Sequence, residues 1–283
     1  MKVRQKGIVA VLLIAVTLVT AVAAGTGTGK KSAALDAIRK RGTLIVGVFG
    51  DKPPFGYVDA KGGNAGYDVA FARRFAKDLL GDERKVKFVT LEAANRIEYL
   101  KSNKVDIILA NFTVTPSRKE EVDFALPYMK VALGVVAPSG SPIKSIVDLK
   151  GKTLIVDKGT TAELYFTEHY PDIKLLKFDQ NTEAFQALKD GRGDALAHDN
   201  TLLFAWAYEN SGYRVIEGNL GSQDTIAPAV KKGNADLLEW LNSEIVKLGT
   251  ERFAHAAFDA ELKSHFSPDT KPDDVVIEGG IVK

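Results

Sequence analysis

Apolar residues along the 283-residue chain fall into an uncharged N-terminal run, short β-branched runs, and longer stretches with helical spacing. The first run extends from Ile8 to Ala24. A short helical pattern from Leu35 to Arg41 then leads into Thr43-Leu44-Ile45-Val46-Gly47-Val48, whose length and β-branched content predict a buried strand. Asp51-Lys52-Pro53-Pro54 ends it as a loop. From Tyr67 to Leu80 apolar residues recur in pairs at Phe71/Ala72, Phe75/Ala76 and Leu79/Leu80, which predicts a helix with Gly81 at its C-terminal cap. A strand at Val86 to Val89, a helix from Arg96 to Ser102 and a strand from Val105 to Ala110 continue the alternation.

An extended stretch from Tyr128 to Pro138 opens a second set of units. Its strands are predicted at Thr153 to Val156, Leu175 to Phe178, Ala195 to Ala197 and Tyr213 to Ile216, and its helices at Ala162 to His169, Thr182 to Asp190 and Asn200 to Tyr208. Thr225 to Val230 is again extended. The helix that follows places Leu237, Leu238, Leu241, Ile245 and Leu248 on one stripe, which we read as packing back onto the first set. The class is α/β, with two lobes, each a mixed sheet flanked by helices. The expected boundaries are 1–24 for an export signal, 25–34 for a linker, 35–134 for the first part of lobe one, 135–224 for lobe two, and 225–283 for the return to lobe one. The chain would cross between lobes at about residues 133 to 138 and 224 to 230, a two-strand hinge.

Composition narrows the class of function. Lys2, Arg4 and Lys6, the apolar run, and Ala21-Val22-Ala23-Ala24 are the three parts of a secretory signal, cleaved after Ala23 or Ala24; retention as an anchor is the alternative. Both place the folded part outside the cytoplasm, and the cleaved form predicts a periplasmic protein. The chain has no cysteine, which excludes disulfides, thiolate chemistry and a lipidated N-terminal cysteine. The 38 Lys and Arg nearly balance the 36 Asp and Glu, so nucleic acid is not an expected partner. The four histidines lack metal-ligand spacing, and neither a metal nor a cofactor is expected. Gly25 to Ser32 superficially resembles a phosphate-binding loop but has its glycine and hydroxyl residues out of register.

Three segments carry candidate chemistry. Asn111-Phe112-Thr113-Val114-Thr115-Pro116-Ser117-Arg118 follows the strongest buried-strand signal, at the carboxyl end where open α/β sheets bind ligands. Its hydroxyls can receive an anion and Arg118 can pair with a carboxylate, although Thr115 also fits a helix cap and Arg118 a surface charge. Lys158-Gly159-Thr160-Thr161-Ala162-Glu163 stands between a strand and a helix start, suited to an anion or to an ordinary cap. Asp199 after Ala195-Leu196-Ala197-His198, and Asp51 after the first strand, can each hold an ammonium group; Asp199 equally fits a cap. Phe55 and Tyr57 can form an apolar wall or join the core.

With these segments goes a recognisable succession: Gly47 to Gly56, Gly66-Tyr67-Asp68-Val69-Ala70, Asn95-Arg96-Ile97, Asn111 to Arg118, Val122-Asp123-Phe124-Ala125-Leu126-Pro127-Tyr128, Gly159-Thr160-Thr161, and Gly193-Asp194-Ala195 leading to Asp199. It resembles the family 3 extracellular solute-binding proteins of polar amino-acid ABC importers, over nearly all of the chain after residue 35. The resemblance implies a two-lobed periplasmic binding protein fold of type II, a membrane permease as partner, and a monomer. It implies that Arg118 pairs with a ligand α-carboxylate, helped by Thr113, Thr115, Thr160 and Thr161. Asp199 would take the α-ammonium and Phe55 would pack on the ligand, with Asp51 and Tyr128 as neighbours and Asn111 standing where the family often has Gly or Ser. Phe112 to Pro116 and His198 to Trp206 look most like cysteine-binding members, so a small polar L-amino acid, cysteine foremost, is the expected ligand. The alternatives are an enzyme of the cyclohexadienyl dehydratase type, with Glu163 or His198 as its acid, and a sensory or surface ligand-binding module.

Overall fold

The computed structural model describes residues 33–282, so the export signal and most of the linker lie outside the described residues. The first lobe begins with α1 (Ala34–Arg41) and β1 (Leu44–Val48), followed by β2 (Asp51–Lys52), β3 (Gly56–Val58), β4 (Asn64–Ala65), α2 (Tyr67–Leu80) and β5 (Val86–Thr90). Then come α3 (Arg96–Lys101), β6 (Ile107–Ile108), α4 (Pro116–Glu121) and β7 (Val122–Phe124). The second lobe contains β8 (Met129–Pro138), β9 (Thr153–Asp157), α5 (Thr161–His169), β10 (Lys174–Phe178), α6 (Asn181–Lys189), β11 (Ala195–Asp199), α7 (Asn200–Glu209) and β12 (Tyr213–Ile226). The chain returns to the first through β13 (Ala229–Lys231), α8 (Ala235–Thr250), α9 (Phe253–Ala257) and α10 (Pro272–Val275).

The two main sheets share one plan. In the first, the order is β5-β1-β6-β13-β7, with β1 parallel to β5 and β6, and β13 antiparallel to its neighbours. In the second, the order is β10-β9-β11-β8-β12, with β9 parallel to β10 and β11, and β8 antiparallel to β11 and β12. The central parallel strands β1, β6 and β9 are nearly continuous apolar runs, whereas the edge strands β5 and β10 carry Lys87, Lys174 and Lys177. The helix spacing read at Tyr67 to Leu80 is realised residue for residue, and Gly81 caps it at φ 82°, donating to Lys77 O. The last long helix buries Leu237, Leu241, Ile245 and Leu248, each contributing roughly 1.5–3 kcal/mol. Trp240 of this helix lies edge-on to Phe75 at 6.0 Å, and Asn242 Oδ1 accepts from Leu126 N.

Three local readings change. Asp51-Lys52 is no loop but a two-residue strand pairing with β3, and β3 pairs with β4, a small sheet too short for periodicity to reveal. The strand expected from Val105 to Ala110 is reduced to Ile107 and Ile108, although Asp106 N and Leu109 N still donate to Ile45 O and Gly47 O. The strand expected to stop at Ile216 runs to Ile226, its register interrupted by shifts as it follows β8. From Met129 onward β8 pairs within the second sheet, so residues 129–134 run with that sheet. Between the sheets, Ala125 N donates to Pro228 O and Tyr128 N to Ile226 O, tying the two passing segments together.

Candidate functional site

Carboxyl ends of parallel strands from both sheets meet at one cavity. Phe49 follows β1, Asn111 and Thr113 follow β6, Thr160 and Thr161 follow β9, and His198 and Asp199 end β11. Together with Lys52, Arg96 and Arg118 these residues line one small cavity. The placement is what an α/β sheet dictates, because strand ends release the chain into loops whose groups are free to face a ligand.

Lobe one supplies the cations. Arg118 is held on the first turn of α4, where Thr115 Oγ1 accepts its backbone N–H at 3.2 Å. Its guanidinium donates to Thr113 O at 2.7 Å and, across the cleft, to Gly159 O at 3.0 Å. Arg96 donates to Ala93 O, Ala110 O and the same Gly159 O, the last at 3.0 Å. Both guanidinium groups lie over the Phe112 ring, at 4.4 Å for Arg96 and 4.7 Å for Arg118, a favourable arrangement for a planar cation. Burial lowers the Arg118 pKa to about 10, and burial together with the neighbouring Arg118 charge lowers that of Arg96 well below its ordinary value. Arg118 keeps its charge at neutral pH.

Lys52 is the third cation and is 1% exposed. Its Nζ donates to Asn111 Oδ1 at 2.7 Å and to Asp199 Oδ2 at 2.8 Å, joining the lobes through a buried ion pair. Burial by itself would raise the Asp199 pKa, but the Lys52 ammonium, with His198, holds it far below the ordinary carboxylate range. Among the described residues no donor reaches Asp199 Oδ1. Behind it, His198 Nδ1 accepts from Asp199 N at 2.7 Å, and His198 Nε2 lies 3.4 Å from Asp157 Oδ2. Asn111 is fixed in turn by Asp68, whose carboxylate accepts from Asn111 N and Tyr128 Oη. Burial lifts the Asp68 pKa to about 6 despite those donors.

Of the residues singled out in the sequence, Arg118, Asp199, Thr113, Thr160, Thr161 and Asn111 line the cavity together. Thr160 also caps α5, accepting from Glu163 N and donating to Asp157 O. Thr115 does not line the cavity and acts as the cap of α4. Phe55 and Tyr128 are fully buried in the hydrophobic core instead of lining it. Asp51 stands at the cleft rim, where it accepts from Asn181 Nδ2 of lobe two at 3.1 Å. Sequence reasoning passed over Lys52, Phe49, Arg96 and His198 as binding residues. Lys52 and Asp51 are adjacent on a strand and so face opposite ways, and period alone does not say which faces in. The available signal was the family-like stretch from Gly47 to Gly56 that contains them both.

Gly159 makes the tight interlobe contact possible. Its φ is +74°, and a Cβ there would lie 2.5 Å from Ala94 Cα. Only a residue without a side chain lets the α5 loop approach lobe one this closely.

Comparisons with known proteins identify the family. The family described as bacterial extracellular solute-binding proteins, family 3, matches residues 44–256. The glutamine-binding protein of a Bacillus subtilis ABC transporter is 35% identical over 223 residues, covering 78% of this chain and 81% of that protein. The crystal structure of a cysteine-binding protein from Campylobacter jejuni superposes with a TM-score of 0.86 at 62% identity, over 87% of this chain and 99% of the other. A solute receptor for L-cysteine from Neisseria gonorrhoeae gives 0.85 at 58% identity, over 86% and 99%. The match over most of the folded chain, with the paired sheets described above, establishes that the chain belongs to the bacterial extracellular solute-binding proteins of family 3 and has their two-lobed α/β fold.

Proposed function

We propose that the protein binds a small L-amino acid, L-cysteine foremost, in the cavity between its lobes and delivers it to the permease of an ABC importer. The observation that carries this reading is that Arg118 and Asp199, opposite charges from opposite lobes, face one buried cavity. A zwitterion is the complementary ligand. Arg118, with Arg96 beside it, offers N–H groups to a carboxylate, and the free Oδ1 of Asp199 accepts from an ammonium. Thr113, Thr160 and Thr161 surround the carboxylate end, while Phe49 and Asn111 close the cavity from lobe one. The identity of 62% and 58% to the two cysteine-binding proteins supports cysteine in particular.

Because the binding groups come from both lobes, ligand contacts are complete only when the cleft is closed, and a ligand shifts the population toward that state by its differential affinity. We take the closed form to be what the permease recognises, the protein to work as a monomer, and residues 1–24 to direct its export. The dehydratase alternative gains little. Glu163 is engaged by Gly159 N at 2.7 Å and Lys177 at 2.8 Å, and His198 is enclosed between Asp157 and Asp199.

Titration calorimetry of the purified protein with L-cysteine, L-glutamine, L-arginine and L-cystine tests the reading. L-cysteine is expected to bind tightest. Tighter binding of another amino acid would remove the cysteine assignment, and no binding of any would remove the amino-acid reading.

A further inference from the structure

Next to the polar cavity is a second, larger one, also between the lobes. It measures about 250 Å³, and its walls are Pro53 from lobe one and Phe185, Leu202 and Trp206 from α6 and α7, with polar Asn181, Thr182, Gln186 and Lys189 beside them. Phe185 and Trp206 are stacked at 4.5 Å, and Lys189 Nζ stands 5.4 Å from the centroid of the Trp206 ring. Lys52 is the single residue that lines both cavities. Its side chain is pinned at the tip by Asn111 and Asp199, so it stands as a wall and does not swing as an ordinary surface lysine does.

We propose that Lys52 sets the size of the ligand: its tethered side chain is the partition that shuts the apolar cavity off from the polar one and confines the bound amino acid to a short side chain. The inference rests on the reading of the polar cavity as an amino-acid site. It adds a residue that selects among amino acids to the residues that bind what all of them share. The two cavities explain why such a wall matters. Asp199 and Arg118 recognise groups present in every amino acid and discriminate among none, whereas the neighbouring apolar space would accept a long side chain if it were open. Closing that space with the tethered side chain penalises a long apolar side chain by occupying its volume.

The test compares Lys52→Ala, which removes the wall, with Lys52→Met, which keeps most of its bulk and removes its charge. L-cysteine and L-methionine are titrated into the wild-type protein and both variants by calorimetry, with thermal melts as the folding control. In K52A the affinity for methionine relative to cysteine is expected to rise by about tenfold or more, the scale set by admitting a few methylenes to an apolar pocket, and in K52M to change far less. An unchanged ratio in K52A would overturn the proposal. An equal rise in both variants would do so too, since it would assign the selection to charge and not to the wall. Should K52A fail to fold, Lys52→Ser, which also removes the wall, carries the same expectation. If the wild-type protein binds neither these nor any other amino acid, the reading of the site is at fault; if it binds cysteine and the ratio does not move, only the role of Lys52 is.

Discussion

The two walls of the cleft are built from opposite charges. Lobe one presents Lys52, Arg96 and Arg118, and lobe two presents Asp199, with Asp157 behind His198, and the carbonyl oxygen of Gly159. Each wall apart from the other holds charges it cannot neutralise, and together they match through Lys52 to Asp199 and through both arginines to Gly159 O. A buried ion pair of this kind adds little net stability, because desolvation offsets most of the attraction, but losing one partner costs several kcal/mol. Under the proposed reading the difference between the walls serves orientation, setting which end of a zwitterion would face which lobe. It also makes the closed form self-satisfied, since Lys52 and Gly159 O occupy poles that a ligand would share.

The positive wall is broken most severely at Arg118. Arg118→Ala is expected to weaken amino-acid binding by on the order of 2–5 kcal/mol, because a buried ligand carboxylate would lose its charged partner. Calorimetry showing near wild-type affinity would refute that role. A smaller effect is expected from the one carboxylate buried behind the same wall. The Asp68 pKa in the folded protein is about 6, above its ordinary 3.8, so folding favours its protonated form. The stabilisation it gives is complete below pH 3.8 and is lost as pH rises through about 6, a change of about 3 kcal/mol at most. Urea denaturation from pH 4 to pH 7 should show a fall in stability that is flattened in Asp68→Asn, and parallel profiles would show that Asp68 does not titrate in this range.

The negative wall is approached through Gly159. Gly159→Ala carries a backbone strain of roughly 1–2 kcal/mol in open and closed forms alike, whereas its clash with Ala94 exists only when the lobes meet. The variant should therefore melt somewhat lower and, separately, bind ligand about tenfold more weakly, a closure penalty of about 1.4 kcal/mol. A lower melting temperature with unchanged affinity would mean that the contact plays no part in binding.

Much of this arrangement was readable in the chain. The long helices and the parallel strands follow from period and β-branched content, since their burial is imposed on every turn or every second residue. The segments after β6 and β9 and the end of β11 were found because a strand running into polar sequence marks the end of a sheet, where ligand groups collect. The small sheet holding Lys52 was not readable: two or three residues carry no period, and its strands owe their pairing to the chain around them. Nor could sequence separate Phe49 from Phe55, both apolar and six residues apart; one ends a strand at the cavity and the other packs inside the lobe.

By itself, then, the amino-acid sequence determined the α/β class, the order of the elements, and the type of chemistry at the strand ends, because these depend on local period and on residues close together in the chain. Only the tertiary structure decided which of those residues share a cavity, since that depends on how two sheets built from distant segments face each other. It placed Arg118 against Gly159, 41 residues away, and Lys52 against Asp199, 147 residues away. It also turned a lysine that composition would assign to the surface into the wall between two cavities, because a cation can remain buried where a carboxylate from the other lobe meets it.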